Sequence, residues 1–183
     1  MLTGKTIVHA TISLDGYIAR PNDDLSWMSA YVGPNKVADE VIRRVGAIIS
    51  GGRLFRLIDE DIENNLPYGG AVKVTVFVLT HHPHDTVTRS GVTFHFVTDS
   101  FESAVRQARA VAGDKNIMLF GATMAQLGLK TGLADEIQLH LAPILLGSGI
   151  RLFGQSGNGY VKLERMEVAE SPKVADLRFR IVK

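Results

Sequence analysis

Residues 47–58 read AIISGGRLFRLI. Four small or apolar residues run into Gly51 and Gly52, and Arg53 then opens a second apolar segment. AIIS is too short and too apolar to be anything but a buried strand or a helix tail, and Gly51 favours the strand. The segment that follows reads as helix. At the C-terminal end of a buried strand, a glycine lets the backbone approach a ligand closely, and the next helix offers unpaired N–H groups to an anion. Arg53 adds a planar positive fork suited to a phosphate. The same strand, glycine, helix order recurs at residues 117–127, IMLFGATMAQL, around Gly121. Either turn alone serves equally well as a tight connection, but two in one small sheet favour a nucleotide site.

Outward from these turns the chain alternates strands and helices. Thr6–Ser13 is rich in β-branched residues and breaks at Asp15 and Gly16. A polar loop holding Leu25, Trp27 and Met28 leads into GPNKVADEVIRRV, where Val37, Val41 and Val45 recur at helical spacing and Pro34 suits an early helical position. Val72–Thr80 is apolar on both alternations, as a central strand covered on both faces should be. GVTFHFVT gives another strand, and the Asp99 to Glu102 spacing is that of a capping box before a helix ended by Gly113. In residues 135–149, DEIQLHLAPILLGSG, an alternating strand is expected to extend past Pro143 through a second apolar run. The last two alternating runs, separated by SPK, read as an antiparallel hairpin, with Asp176, Arg178 and Arg180 on its wet face. The expected fold class is α/β: a three-layer α-β-α arrangement in one domain, 1–183, around a mixed, mostly parallel sheet with an antiparallel C-terminal hairpin.

Composition narrows function mainly by exclusion. A chain of 183 residues that is 45% hydrophobic can bury one substantial core. With 20 basic and 19 acidic residues the net charge is +1, which gives no broad electrostatic reason for a nucleic-acid or membrane partner. The absence of Cys removes disulfides and thiolate chemistry. The N-terminus has no basic segment before a hydrophobic core and cleavage site, so a soluble cytoplasmic protein is expected. Gly147 and Gly149 begin a dinucleotide-like spacing, but Leu152 stands where its third glycine belongs, and they are expected in a turn or bulge. No P-loop, G-x-S-x-G or HExxH is present. His81, His82 and His84 surround Pro83 in a turn, which is poor metal geometry, and no metal site is expected. His9 and His140 lie within strand patterns and read as structural. SLDGYIA, residues 13–19, adds an acidic side chain and a sharp turn beside Ile18 and Ala19, a small apolar surface for a flat ring. Trp27 is an aromatic in a polar loop, either over that surface or anchoring a lid.

Through SLDGYIA (13–19), IISGGRLF (48–55), VLTH (78–81) and the long run from Met118 to Phe153, the chain resembles the dihydrofolate-reductase-like superfamily. It is more closely similar to the reductase domain of bacterial riboflavin biosynthesis, the RibD C-terminal domain, and its stand-alone relatives. The resemblance implies an eight-stranded sheet, a homodimer and an NADPH-dependent oxidoreductase acting on a C=N or C=O bond of a small heterocycle. It also implies site roles. Gly51, Gly52, Arg53 and Leu54 would hold the adenosine phosphate end, with Arg53 at the 2′-phosphate, and Thr80 and His81 would border the adenine and ribose. Gly121, Ala122, Thr123 and Met124 would meet the pyrophosphate, while Ile18 and Ala19 would lie near nicotinamide with Trp27 over it. Asp15 would orient substrate or supply a proton through water. Val32 occupies the place of the pterin-holding carboxylate of folate reductases, so dihydrofolate is not the expected substrate. A non-catalytic, regulatory nucleotide-binding module is the alternative reading.

Overall fold

The computed structural model describes residues 4–61, 66–154 and 159–183; part of the acidic stretch after the first glycine turn, residues 62–65, lies outside them. In chain order the elements are β1 (Thr6–Ser13), β2 (Tyr17–Ala19), 3-10 turns at Pro21–Asp23 and Ser26–Tyr31, α1 (Lys36–Arg43), β3 (Val45–Gly51) and α2 (Gly52–Glu60). A 3-10 turn at Pro67–Gly70, β4 (Thr75–Leu79), β5 (Val87–Arg89), β6 (Val92–Val97), α3 (Phe101–Ala112), β7 (Asn116–Phe120) and α4 (Ala122–Lys130) follow. The chain ends with β8 (Glu136–Ala142), β9 (Ile150–Arg151), β10 (Leu163–Glu170) and β11 (Ala175–Ile181).

Nine strands form one mixed sheet in the order β10-β11-β8-β1-β7-β3-β4-β6-β5, and β2 pairs with β9 in a separate ribbon. The six strands from β8 to β6 run parallel, while β11 joins β8 antiparallel and carries β10 as the antiparallel hairpin. The ninth strand, β5, was not expected. Ser90 and Gly91, at φ 47° and 80°, make the two-residue turn that folds Val87–Arg89 back on β6. Helices cover both faces, as continuous apolar strands require. On one face Val8, Ala47, Ile49, Phe77, Ile117 and Leu119 pack with α3 and α4; on the other Ile7, Ile48, Val76, Phe94 and Met118 pack with Val41 of α1 and Ile58 of α2.

Several local expectations need correction. Pro34 lies outside α1, because Asn35 is the N-cap and its side chain accepts from the Ala38 N–H at 2.8 Å. Ser100 caps α3 in place of Asp99, accepting from the Ser103 N–H at 3.1 Å. β4 starts at Thr75, with Val72 buried in the approach. β8 stops at Ala142: Pro143 lacks the N–H that a ladder needs, so the apolar run beyond it bends away. The face of β11 read as wet is covered at one end, since Asp176 is 1% exposed.

The β2–β9 ribbon folds the chain end of β1 against the loop after β8. Gly149, at φ 131°, makes that approach possible, because a Cβ there would fall on the Ala19 carbonyl oxygen. Gly149→Ala is expected to destabilise the protein by about 1–3 kcal/mol in urea unfolding, through strain and backbone clash together. Wild-type stability in that variant would contradict this packing.

Candidate functional site

The parallel pairing of β3 with β7 sets Ser50 opposite Phe120, and its pairing with β4 sets Gly51 opposite Leu79. Gly51, Gly121 and Thr80 therefore emerge side by side at the C-terminal edge of the sheet. This is the usual place for a ligand in an open α/β sheet. Gly51 is the N-cap of α2 and Gly121, at φ 86°, that of α4, and no side chain caps either helix. The first-turn N–H groups of both helices thus keep free donor capacity for an anion. Among the described residues a Cβ at Gly51 or Gly121 would meet nothing within 4 Å, so open space lies beside both turns. At Gly52 it would come 3.5 Å from the Thr80 Oγ1, which fixes Thr80 against the first turn. Ser50 is fully buried just before that turn, and its hydroxyl has no partner.

The other expected residues take distinct places. Arg53 is exposed, with Nη1 3.0 Å from Asp23 Oδ1 in the loop that precedes α1. Leu54 packs on the core under α2, and the buried Met124 leaves only its backbone for a ligand, whereas Thr123 and His81 are exposed. Ala122 opens α4. Ala19 is buried in β2 and Ile18 packs on the core beside it. Trp27 is 6% exposed within its 3-10 turn, its ring 6.0 Å from that of Tyr31, and its indole N–H is unpartnered. It is held in the scaffold with a donor to spare. Val32 is 71% exposed.

Asp15 is fully engaged. Its Oδ1 accepts from Ser13 Oγ at 2.6 Å and from the Leu146 N–H at 3.1 Å, and its Oδ2 accepts from the Gly147 N–H at 2.8 Å. The Ser13 hydrogen bond, with the backbone donors behind it, holds the carboxyl at about 2. Asp15 braces the loop after β8 against β1.

Sequence reasoning missed a buried hydrogen-bonded chain on the α1 side of the sheet. Tyr68 Oη lies 2.7 Å from His9 Nδ1, His9 Nε2 lies 2.7 Å from His140 Nε2, and His140 Nδ1 lies 2.5 Å from Asp176 Oδ1. Asn35 Nδ2 also donates to Asp176 Oδ1 at 2.9 Å, and Ser171 Oγ donates to Oδ2 at 2.5 Å. Burial, with His140 adding to it, pushes the His9 imidazole down to about 3, and burial raises the Tyr68 phenol. The alternation did place His9 and His140 in strands, but nothing local signals that they face each other. Among the described residues no three His, Cys, Asp or Glu side chains gather as a metal site. No described helix is long and apolar enough to cross a membrane.

Residues 5–175 match the family model of the RibD C-terminal domain. The YwjB protein of Bacillus subtilis is 24% identical over 155 residues, covering 84% of this chain and 85% of its own. Among solved structures, a putative riboflavin biosynthesis protein from Shewanella sp. PV-4 superposes with a TM-score of 0.80 at 22% identity, over 98% of this chain and 99% of that one. Dihydrofolate reductase from Enterococcus faecalis, solved with NADP(H), superposes at 0.66 with 14% identity, over 100% and 99% of the two chains.

Asp15 also makes a test of the site's electrostatics. Its folded value of about 2 lies below the ordinary 3.8, so its stabilisation is complete above 3.8 and is lost as pH falls through about 2. Asp15→Asn is expected to be less stable than wild type at pH 7, with the gap closing between pH 3.8 and 2 in urea unfolding. A gap that does not change with pH would contradict the assignment.

Proposed function

Since the chain belongs to the RibD C-terminal domain family, we propose that it is an NADPH-dependent reductase that adds hydride to a C=N or C=O carbon of a small heterocyclic substrate. The observation that carries this reading is the pair of uncapped helix starts opening next to each other at Gly51 and Gly121. One extended, phosphorylated ligand fits that arrangement better than two separate anions do. The residues present suit the cofactor: two glycine turns with open space, an unpartnered Ser50 hydroxyl behind the first, and an exposed guanidinium at Arg53. The Enterococcus faecalis enzyme, with the same fold, was solved with NADP(H).

In this proposal Gly51, Gly52, Arg53 and Leu54 hold the adenosine phosphate end, and Arg53 exchanges Asp23 for the 2′-phosphate. Thr80 and His81 border the adenine and ribose, while the N–H groups at Gly121, Ala122, Thr123 and Met124 face the pyrophosphate. Ile18 and Ala19 give the nicotinamide an apolar floor, and Trp27 shields it from water. When bound, the reduced nicotinamide supplies the hydride. The protein's part is to hold the reacting atoms close, exclude water and place a proton.

Calorimetry tests the cofactor assignment. Wild type is expected to bind NADPH more tightly than NADH, and Arg53→Ala is expected to weaken NADPH by about 10-fold or more while leaving NADH nearly unchanged. Equal affinities for the two cofactors in wild type would contradict the 2′-phosphate role, and no binding of either would overturn the reading.

The outer strand β10 supports a homodimer. It is a sheet edge that leaves Leu163, Met166 and Val168 exposed by 40%, 39% and 57%, an edge that proteins usually cover. Sedimentation equilibrium is expected to give a dimer that Val168→Lys shifts toward monomer, and a wild-type protein monomeric throughout would refute it.

A further inference from the structure

A reductase of this design needs a proton for the atom that hydride addition leaves negative, and Asp15 is already engaged by Ser13, Leu146 and Gly147. The chain from Tyr68 to Asp176 has the right contents, and it lies on the sheet face under α1 beside the strand end that opens at Gly121. His9 follows Val8, which pairs with Leu119, so it stands level with Phe120 at the mouth of the second glycine turn. The Tyr68 ring packs on Phe120 with centroids 5.1 Å apart. Tyr68 itself sits at φ 55° and ψ 34°, uncommon for a bulky residue, in a turn whose backbone directs the ring inward to His9.

The protons in this chain can be counted. Asp176 accepts from Asn35 and Ser171, so His140 Nδ1 carries a hydrogen toward it. One proton is then shared between the two Nε2 atoms, and one between His9 Nδ1 and the Tyr68 oxygen. In the neutral arrangement Tyr68 donates to His9, and His9 donates to His140. With one more proton both bonds reverse: His140 becomes imidazolium beside Asp176, His9 donates to the Tyr68 oxygen, and the hydroxyl hydrogen is free to point outward. His9 is neutral in both, as its deep burial demands. Every contact survives the reversal, so a proton passes without rearrangement of the fold.

Resting on the reductase reading, we propose that Tyr68 is the residue that protonates the substrate heteroatom, with His9, His140 and Asp176 as the positioning residues that reload it. As hydride and its electron pair reach the carbon of C=N or C=O, the π pair moves to the heteroatom. The Tyr68 O–H bond breaks and a new N–H or O–H bond forms. The His9 Nδ1 proton passes to the Tyr68 oxygen, the His140 Nε2 proton passes to His9, and His140 is left neutral. After product leaves, solvent at the Tyr68 end restores the lost proton by the reverse shift. Other ionisable groups on this face include Glu136 and Arg178, joined at 2.7 Å, Arg180 and Glu164, joined at 3.1 Å, and Glu40, Glu167, Lys5 and Arg44 around the cavity of about 200 Å³ beyond Gln138.

The test compares wild type, Tyr68→Phe and Asp176→Asn, using NADPH with a cyclic imine, a dihydropterin and a para-quinone as probes, alongside fluorescence measurement of the NADPH dissociation constant. Tyr68→Phe keeps the ring on Phe120 and is expected to slow single-turnover reduction by about 100-fold or more, with NADPH affinity unchanged. The wild-type rate should fall as pH rises, and Asp176→Asn should displace that profile. In ¹⁵N-histidine spectra of the free protein at pH 8, His9 should carry its hydrogen on Nε2 and His140 on Nδ1. Undiminished turnover by Tyr68→Phe, or the opposite tautomers, would overturn the relay alone. A wild type that binds NADPH but reduces no probe would overturn the reductase reading and the relay with it.

Discussion

Parallel pairing of β3 with β7 puts Ser50 opposite Phe120, so both strands give out into glycine at the same height. The register is locked by burial on both sides. Ile48 and Ile49 face opposite layers, as do Ile117 and Met118, and all four are fully buried. A slip of one residue would reverse which side chains meet which helices, at a cost of several buried contacts. The two uncapped helix starts are therefore held beside each other by the core itself. Proximity of the glycine turns, and with it the case for one ligand spanning them, follows from packing far from any ligand.

The same sheet treats its two faces differently. Where β1, β8 and β11 meet α3 and α4, the facing residues are apolar: Val8, Ile12, Ile137, Leu139 and Leu177. Under α1, Ile7 is joined by His9, Glu136, Gln138, His140, Asp176 and Arg178. Burying such groups is costly unless they satisfy one another. Arg178 donates from Nε and Nη2 to Glu136, and His9, His140 and Asp176 join through Tyr68, Asn35 and Ser171. Gln138, 1% exposed, lies between the two groups with neither amide atom partnered. An apolar face would serve stability better, so stability alone does not account for the polar one.

Much of this was legible in sequence because the signals were local. β1 has the bounds expected of its β-branched run, and both glycine turns are where strand, glycine and helix patterns meet. What escaped notice was long-range or fine-grained. β5 exists because Ser90 and Gly91 both take positive φ, a conformation that a serine does not announce in sequence. Strand alternation says which residues share a face with Asp176, and not what covers that face. His9 and His140 are 131 residues apart, and only the β1–β8 register brings them together. Asp15 has one partner in its own motif, Ser13, but the other two, Leu146 and Gly147, lie more than 130 residues away.

The most direct measurement is a crystal structure of the protein soaked with NADPH. A single cofactor molecule is expected to touch both turns, its pyrophosphate on the N–H groups after Gly121 and its 2′-phosphate on an Arg53 released from Asp23. A cofactor that engages one turn only, or lies away from both, would contradict it.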